Sequence, residues 1–368
     1  MKWIKTDNYI HGKYGKNKFT YKTKVAGFDL DHTIIKPING KRFSNTATDW
    51  KFFDKTVISK LRKYHEDKYN IVIYTNQRGI AIGKTDVDLW KQKIDNIANK
   101  LEIPFIILVS LNNDMYRKPR TKLWDKFIKC NKDKSFYCGD AGGRPKRIIK
   151  NKYILRDFSD TDYKFAYNVG IKFIHRDKFI YNHKMKNPIK YAFDLNEIEI
   201  GTYPKFRPTK KTEMIIIVGY QGSGKSYYTK NYILPHKYKY INRDTIGTKL
   251  KCLKVCEEAL ENNNCVVIDN TNPSIKARKE YLDIAEKYNV NTRCIHFNTS
   301  REMSMHNNIY RHIITDGKTK IIPRIAYSVY NKNFETPSKD EGFCKIIVQD
   351  FILDTDNIDE NIYYSYLM

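Results

Sequence analysis

Short apolar runs alternate with longer amphipathic stretches through the first half of the chain. Four of these runs end in polar turns, and they read VAGFDLD, NIVIYTNQ, PFIILVSLNN and SFYCGDAGG. The stretch from Thr85 to Leu101 repeats apolar residues every three or four positions, which is typical of an amphipathic helix. The alternation predicts an α/β domain with a mainly parallel sheet, whose functional residues lie at the carboxyl ends of the strands.

The second half repeats this pattern with the runs MIIIVGYQG, YKYINRD, CVVIDNTN and NTRCIHFNTS. Between the halves, the stretch GTYPKFRPTKKT from Gly201 to Thr212 contains one glycine, two prolines and four basic residues. Such a stretch continues neither a helix nor a central strand, which favours a linker. The sequence therefore predicts two α/β domains, 1–204 and 213–368, joined by a linker at 205–212.

Charge and composition narrow the class of protein. The 368 residues carry a net charge of +26, of which +20 lies in residues 1–204, and this excess favours nucleic acid over a membrane surface as the partner. The longest apolar stretches fall short of the roughly 18 residues that cross a bilayer, and the amino-terminal residues lack the apolar segment of a signal peptide. Seven cysteines without a C-x-x-C pair indicate reduced thiols, with neither zinc nor disulfides. These features predict a soluble intracellular protein.

The stretch GYQGSGKS, from Gly219 to Ser226, follows the apolar run at 214–218 and matches the phosphate-binding motif G-x-x-x-x-G-K-[ST]. Its glycines let backbone N–H groups surround phosphate oxygens at the start of a helix. Lys225 is expected to reach the β and γ phosphates and Ser226 to bind Mg²⁺, so this half is predicted to bind ATP or GTP. The residues expected around the phosphates are Gly219, Gly222, Ser223, Gly224, Lys225 and Ser226.

Three further residues in this half suit phosphoryl transfer. Asp244 in YINRDTIG ends a predicted strand, where it can act as the base for an acceptor hydroxyl or can cap a helix. Asp269 in VVIDNTNP ends another strand and resembles the acid that orients a magnesium ion in P-loop enzymes. The stretch MHNNIYRHIITDG predicts a polar lid helix that places Arg311 against the transferring phosphate.

The first half contains the stretch KVAGFDLDHTII, in which Asp29 and Asp31 occupy alternate positions at a strand end. Their side chains are therefore expected on the same side. One carboxylate can accept a phosphoryl group while the other protonates the leaving oxygen and then activates water.

Such a site also needs a metal ion and groups that hold the phosphate. Other predicted strand ends supply Thr75 and Asn76 as phosphate hydrogen-bonders, Lys118 as a cation and Asp140 as a metal ligand. Four such elements in this order at strand ends favour a phosphoryl-transfer site over chance or structural capping.

This order resembles the haloacid dehalogenase superfamily of aspartyl phosphatases. Joined to the P-loop half, the chain is similar to the polynucleotide kinase 3′-phosphatases. The blocks that carry the likeness are KVAGFDLD, YTNQRGI, YRKP, GDAGGRP, DFSDTDYKFAYNVGIKF, INRDTIGT and IDNTNP, which extend over nearly the whole chain. The likeness implies a Rossmann-like phosphatase domain followed by a P-loop kinase domain.

The likeness also implies roles for individual residues. Asp29 would be the nucleophile and Asp31 the general acid and base, with Mg²⁺ held by Asp29, the Asp31 carbonyl and Asp140. Thr75, Asn76 and Lys118 would hold the phosphate, while Lys225, Ser226 and Asp244 would serve an ATP-dependent kinase. Asp157 in DFSD would either join the outer shell of the metal or cap the following helix.

Three departures from the family pattern stand out. His32 occupies a position where glycine is common, and Ile309 replaces a frequent arginine in the lid, which leaves Arg311 alone there. Only about two dozen residues precede the first phosphatase strand, so the phosphothreonine-binding forkhead-associated module is not expected. Recruitment through a phosphopeptide scaffold is therefore not implied.

We expect a monomeric enzyme that removes 3′-phosphate from nucleic-acid ends and phosphorylates 5′-hydroxyl ends, which makes DNA breaks ligatable in strand-break repair. The alternatives are an RNA end-repair enzyme, a small-molecule kinase fused to a phosphatase, and a catalytically silent nucleic-acid-binding protein. The expected location is the nucleus, or the cytoplasm for a virus that replicates there.

The basic stretch GGRPKRIIKNK, from Gly142 to Lys152, follows the expected metal ligand Asp140. We expect Arg144, Lys146 and Arg147 to contact the DNA backbone near the phosphatase site. The alternative is a solvated basic loop.

Overall fold

The computed structural model describes residues 1–41, 43–44, 46–149, 152–183, 194, 197–356 and 358–368. The chain forms two compact units, the first made of Met1–Tyr191 with Ser365–Met368 and the second of Ala192–Tyr364. This division falls earlier than the boundary at residue 204 that the sequence predicts, and the last four residues return to the first unit.

The first unit contains eleven strands and six helices among the described residues. The strands are β1 (Lys2–Lys5), β2 (Tyr9–Tyr14), β3 (Lys24–Phe28), β4 (Ile35–Pro37), β5 (Trp50–Phe52), β6 (Tyr69–Asn76), β7 (Phe105–Ser110), β8 (Phe136–Gly139), β9 (Arg147–Ile149), β10 (Lys152–Ile154) and β11 (Lys172–His175). The helices are α1 (Val57–Glu66), α2 (Arg78–Ala81), α3 (Val87–Leu101), α4 (Lys122–Phe127), α5 (Thr161–Val169) and α6 (Arg176–Tyr181).

Seven of these strands form one sheet in the order β1-β2-β7-β6-β3-β8-β11. Strands β7, β6, β3, β8 and β11 run parallel, and β2 and β1 extend the sheet antiparallel. Strand β3 lies between β6 and β8, so the carboxyl ends of three central strands meet at one edge. The predicted parallel α/β sheet is confirmed, with an antiparallel hairpin added at one side.

Helix α3 shows why the sequence pattern predicts the right element. The side chain of Asp86 accepts hydrogen bonds from the backbone N–H groups of Asp88 and Leu89, which caps the helix start. Trp90, Ile94, Ile97 and Leu101 are buried on one face, at the spacing that the sequence displays.

The second unit contains five strands and seven α-helices among the described residues. The strands are β12 (Glu213–Val218), β13 (Lys239–Ile241), β14 (Val266–Asp269), β15 (Asn291–Phe297) and β16 (Lys345–Gln349). The helices are α7 (Lys225–Tyr228), α8 (Arg243–Ile246), α9 (Lys249–Glu261), α10 (Ile275–Lys287), α11 (Arg301–Ile314), α12 (Arg324–Asn333) and α13 (Glu360–Tyr363). A π-helical turn at Thr229–Ile233 and 3₁₀ turns at Leu234–His236 and Lys339–Glu341 complete the unit.

All five strands of the second unit are parallel, in the order β13-β14-β12-β15-β16. Strand β12 is buried along its whole length and leads directly into the glycine-rich loop. Among the described residues, no helix is both long enough and apolar enough to span a membrane.

Candidate active sites

The phosphatase candidates of the first unit converge at the carboxyl end of β3. Asp29 follows this strand, and its backbone N–H donates to the Cys138 carbonyl of β8 at 2.8 Å. Lys118 donates from its Nζ to Asp29 Oδ1 at 2.8 Å, although the two residues are far apart in the sequence. Both side chains are almost fully buried. The structure therefore brings the predicted nucleophile and the predicted cation together.

Lys118 has two further partners that the sequence analysis did not identify. Its Nζ donates to Asp162 Oδ1 and to the Tyr137 hydroxyl, each at 2.7 Å. The two carboxylates raise the pKa of Lys118 in spite of its burial, so the ammonium form is secured. Asp162 lies in the first turn of α5, close to β8, and a Cβ added to Gly139 would lie 2.1 Å from its Oδ2. This close approach explains the glycine at the end of β8.

Asp31, the second carboxylate of the motif, is held by a residue that the sequence analysis also missed. The side-chain amide of Gln77 donates to Asp31 Oδ2 at 2.7 Å and to Thr75 Oγ1 at 2.9 Å. One glutamine thus fixes both the predicted general acid and a predicted phosphate-binding hydroxyl. His32 adopts a left-handed φ of 60° beside Asp31, which accounts for glycine being common at this position.

Asn76 makes contacts that the sequence analysis did not predict. Its side-chain amide donates to the Lys118 carbonyl at 3.2 Å, and its Oδ1 accepts from the Lys118 backbone N–H at 3.1 Å. Both ends of the amide therefore hold the backbone of Lys118. Asn76 thus positions Lys118, and its contact with a phosphate stays a prediction.

One oxygen from each of Asp29, Asp140 and Asp162 lies within 4.8 Å of the others. Carboxylate oxygens are the ligands that hard divalent cations prefer, so the donor set fits Mg²⁺. Both oxygens of Asp162 already accept hydrogen bonds, from Lys118 and from the Ala141 backbone N–H. Asp29 and Asp140 are therefore the better placed pair of ligands.

Burial raises the pKa of both carboxyl groups, which makes them weaker acids than usual. It raises the pKa of Asp140 to about 6, with Asp162 adding to the effect. Burial also raises the pKa of Asp29 well above its ordinary value, while Lys118 opposes this rise. A divalent cation between them would supply the positive charge that keeps both groups ionised.

Asp157 does not cap helix α5, while a place in the outer shell of the metal stays a prediction. Its carboxylate accepts from the Arg144 guanidinium at 3.0 Å and lies 3.4 Å from His175 Nε2. Asp160, and not Asp157, precedes the first residue of α5. These contacts hold the pKa of Asp157 well below its usual range in spite of burial, and they make it part of a local ion-pair cluster.

The same cluster changes the interpretation of the basic loop. Arg144 donates to Asp157 and, at 2.8 Å, to Asp177, so its charge is compensated within the protein. Arg147 lies 3.9 Å from Asp177 and is half-buried, whereas Lys146 is exposed and lies over the Tyr153 ring. Lys150 and Asn151 of this stretch lie outside the described residues. Arg144 therefore stabilises the local structure, and a contact between this loop and a polyanion stays a prediction for the exposed Lys146 above all.

In the second unit, the glycine-rich loop connects β12 to α7. Gly222 and Gly224 adopt positive φ values of 81° and 98°. A Cβ at Gly222 would lie 2.4 Å from the Ser304 carbonyl of α11, so this helix also requires a glycine there. Lys225 donates to the carbonyls of Gly219, at 2.9 Å, and Tyr220, and burial lowers its pKa to about 8.

Ser223 and Ser226 differ in their surroundings. Ser223 is fully buried, and its carbonyl accepts from the Thr299 hydroxyl at 2.9 Å, so it supports the loop from within. Ser226 is exposed and lines a cavity beside Lys225. Of the two serines, Ser226 is the one available to a bound ligand.

The two aspartates of this unit lie in the same cavity. Asn242 caps α8 by accepting from the Asp244 backbone N–H, so Asp244 does not cap the helix and its carboxylate remains exposed in the cavity. Asp269 is buried, and its Oδ2 accepts from the Tyr240 hydroxyl at 2.8 Å. Its Oδ1 is buried without a hydrogen-bond partner among the described residues, which fits a position near a hydrated cation.

Helix α11 corresponds to the predicted lid helix, but the structure does not place it as a lid. Eight consecutive residues of this helix, from Met303 to Tyr310, are buried, so it is packed into the unit. Asn307 from this helix donates to the Gly222 carbonyl at 3.0 Å and thereby braces the glycine-rich loop. Ile309 is buried, while Arg311 is exposed near the end of the helix and lines the cavity that also contains Asp244.

Two cavities meet at the glycine-rich loop. The larger, of about 500 Å³, contains Asp244, Asp269 and Arg311. The smaller, of about 320 Å³, is lined by rings that include Tyr203, Tyr227 and Phe351. Both are bordered by Gly222, Lys225, Ser226 and Arg311.

Each of the two units matches a known protein family. Residues 24–180 match the family described as "Polynucleotide kinase 3 phosphatase", and residues 214–321 match a family described as "AAA domain".

Individual relatives extend the likeness over the whole chain. A putative bifunctional polynucleotide phosphatase/kinase of Acanthamoeba polyphaga mimivirus is 37% identical over 98% of this chain and 92% of its own. The bifunctional polynucleotide phosphatase/kinase of Schizosaccharomyces pombe is 36% identical over 94% of this chain and 84% of its own. A polynucleotide 3′-phosphatase of Saccharomyces cerevisiae is 29% identical over 46% of this chain and 90% of its own.

Proposed function

Because the chain belongs to the family of bifunctional polynucleotide phosphatase/kinases, we propose that it removes 3′-phosphate from DNA ends and transfers the γ-phosphoryl group of ATP to 5′-hydroxyl ends. The observation that carries the proposal is that each unit brings its candidate phosphoryl-transfer residues together at the carboxyl ends of its parallel strands. The Asp29–Lys118–Asp162 cluster supports hydrolysis, and the glycine-rich loop with Asp244 supports transfer.

In the phosphatase reaction, the Asp29 carboxylate attacks phosphorus and the bond to the 3′-oxygen breaks, while Asp31 donates a proton to that oxygen. Asp31 then takes a proton from water as the water hydrolyses the acyl phosphate on Asp29. Lys118, kept charged by Asp162, compensates the charge of the phosphoryl group. Gln77 keeps Asp31 oriented through both steps. We propose Asp29 and Asp140 as the ligands of the Mg²⁺ ion that this site takes up.

In the kinase reaction, Asp244 accepts the proton of the 5′-hydroxyl, whose oxygen attacks the γ-phosphorus as the bond to ADP breaks. We assign the larger cavity to the acceptor end because it contains Asp244. We assign the smaller, ring-lined cavity to the nucleoside of ATP, since aromatic side chains suit a purine. The phosphates would then lie at Lys225 and Ser226, where the two cavities meet.

The phosphatase-first order of the units favours DNA over RNA as the substrate. The net charge of +26 favours a nucleic acid over a small metabolite. The preference for DNA is tested by incubating purified enzyme, ATP and Mg²⁺ with matched DNA and RNA oligonucleotides. Each oligonucleotide carries a 3′-phosphate and a 5′-hydroxyl. We expect faster turnover of both ends on DNA. Preference for RNA would support the RNA end-repair alternative, and activity on sugar phosphates alone would support a small-molecule enzyme.

A further inference from the structure

A third, shallower cavity of the kinase unit lies beside the proposed acceptor cavity. It has a volume of about 240 Å³ and is bordered on one side by α12, with Ile325, Val329 and Tyr330 in its wall. Gln221, Thr271 and Pro273 line both this cavity and the larger one. The two cavities are therefore adjacent, and α12 lies on the far side of these shared residues from the cavity that contains Asp244.

Two aliphatic side chains stand out on α12. Ile325 is 68% exposed and Val329 is 51% exposed, and they lie one helical turn apart. Helix α12 is anchored by other residues, since Tyr327 and Tyr330 are buried against the unit and Tyr330 packs on Tyr220 at 4.2 Å between ring centroids. The core thus does not require Ile325 and Val329, and their exposure points to a ligand.

The charge around these two residues indicates the chemistry of that ligand. Residues 317–334 include no aspartate or glutamate but four cations, Lys318, Lys320, Arg324 and Lys332. All four are exposed, and among the described residues none forms an ion pair. Uncompensated cations beside an apolar strip fit a polyanion with apolar faces, which is the chemistry of a nucleic-acid strand.

We propose that Arg324, Ile325, Val329 and Lys332, which we call the α12 face, bind the acceptor strand beyond its terminal nucleotide. The two aliphatic side chains pack against a base, and the two cations contact the phosphates on either side of it. This inference rests on the proposed kinase function and adds the route of the strand. A second copy of the chain is the poorer occupant, because two copies carrying +26 each repel and two side chains offer too little area for a stable dimer.

The length of the acceptor provides the test. A nucleoside 3′-monophosphate reaches only the terminal cavity, whereas an eight-nucleotide DNA with a 5′-hydroxyl also covers the α12 face. The Ile325→Ser/Val329→Ser variant is expected to raise KM for the longer acceptor about tenfold, with kcat, KM for ATP and the mononucleotide reaction unchanged. Arg324→Ala/Lys332→Ala should raise the same KM and lower the salt slope of kcat/KM by about 0.7 for each single-strand phosphate that the variant no longer neutralises.

Matched controls come from the edge strand β16, where Val348 is 60% exposed and Lys345 is also exposed. Val348→Ser and Lys345→Ala should leave every parameter at the wild-type value, and Ile325→Leu/Val329→Ile should keep the KM of the wild type. Unchanged KM for the longer acceptor, or an equal rise for the mononucleotide, would overturn the inference. So would a wild-type dimer that becomes a monomer in the serine variant on sedimentation. Absence of oligonucleotide kinase activity in the wild type would instead refute the proposed function itself.

Discussion

Lys118 is the residue around which the phosphatase site is built. Its ammonium group has three partners within 2.8 Å, namely Asp29, Asp162 and the Tyr137 hydroxyl. A buried cation of this kind is stable only with full compensation, so each partner has a defined energetic role. Of its two carboxylate partners, Asp162 is the one without a catalytic assignment.

Replacing Asp162 tests this positioning role. Asp162→Asn removes one of the two negative charges on Lys118 and loosens the lysine, so we expect phosphatase kcat to fall on the order of 100-fold while kinase activity is kept. Asp157→Asn is the matched control, because its partners are Arg144 and His175 and it should lower only thermal stability. Steady-state kinetics on a 3′-phosphorylated oligonucleotide measures both. A larger loss for Asp157→Asn than for Asp162→Asn would contradict the assignment.

Lys225 leads to a pH-dependent prediction for the kinase site. Burial lowers its pKa to about 8, so the amine loses its proton above that pH in the free enzyme, and ATP phosphates favour the protonated form. ATP binding should therefore take up a proton above pH ~8, and Kd for ATP should rise about tenfold per pH unit there.

Calorimetry in two buffers of different ionisation enthalpy, without an acceptor, measures this proton uptake. In Lys225→Arg the guanidinium stays charged, so the pH dependence should disappear. A flat Kd and no proton uptake in the wild type would refute the prediction.

The residues that sequence could assign were those next to a strand end. Asp29, Asp31 and Asp244 follow apolar runs, and their position alone indicated the side of the sheet on which they lie. Asp162 could not be assigned in this way, because it lies in α5 and reaches the site only through the close packing of α5 on Gly139. The internal partners of Asn76 and Arg144 could not be predicted either, since a sequence displays a side chain's chemistry but not the neighbour that it contacts.

At the scale of elements, the segment Ser365–Met368 supports the loop that carries Lys118. Arg120 donates from its Nε to the Leu367 carbonyl at 2.9 Å, and Asn168 exchanges two hydrogen bonds with the Tyr366 backbone, each at 2.8 Å. Leu367 is only 1% exposed. A segment of four residues at the end of the chain is thus part of the phosphatase unit.

We expect Leu367→Ala to destabilise the phosphatase unit by about 2–5 kcal/mol through the cavity that it leaves. Phosphatase activity should then be lost at a lower temperature than in the wild type, while the temperature at which kinase activity is lost stays the same. Leu367→Met, which conserves volume, is the control and should behave like the wild type. Equal loss of both activities on heating the alanine variant would contradict this role.

The long internal strands and helix α3 were predictable from the sequence, because burial on one or both faces leaves a strong apolar pattern. The edge elements were not. Strand β1 and the hairpin of β9 and β10 are short and mostly exposed where described, so their residues alternate weakly. The docking of Ser365–Met368 depends on long-range packing, which no local pattern encodes.

At the scale of the whole molecule, we expect the net charge to govern how the substrate is recruited. The excess of +26 is sequence-independent attraction for a polyanion, and counterion release makes such binding fall steeply with salt. Arg144 forms ion pairs with Asp157 and Asp177, whereas Lys146 forms none with the part of the chain that the structure describes, so we expect Lys146 to contribute more.

Lys146→Ala/Arg147→Ala tests the basic loop without breaking the Arg144 ion pairs. We expect a higher KM for a 3′-phosphorylated oligonucleotide and a lower salt slope, with hydrolysis of p-nitrophenyl phosphate unchanged. Lys132→Ala/Lys134→Ala, two exposed lysines that precede β8 at its opposite end, removes the same charge and should have a smaller effect. Equal loss on the oligonucleotide and the small ester would mean that the loop supports the fold.

The central claim is that each unit contains an independent phosphoryl-transfer site, and one substrate tests it directly. A DNA oligonucleotide with a 5′-hydroxyl and a 3′-phosphate is incubated with ATP and Mg²⁺, and mass spectrometry follows the loss and the gain of a phosphoryl group. The wild type should do both, Asp29→Asn should only add the 5′-phosphate, and Asp244→Asn should only remove the 3′-phosphate. If either variant, still folded by circular dichroism, lost both reactions, the two-site account would be wrong.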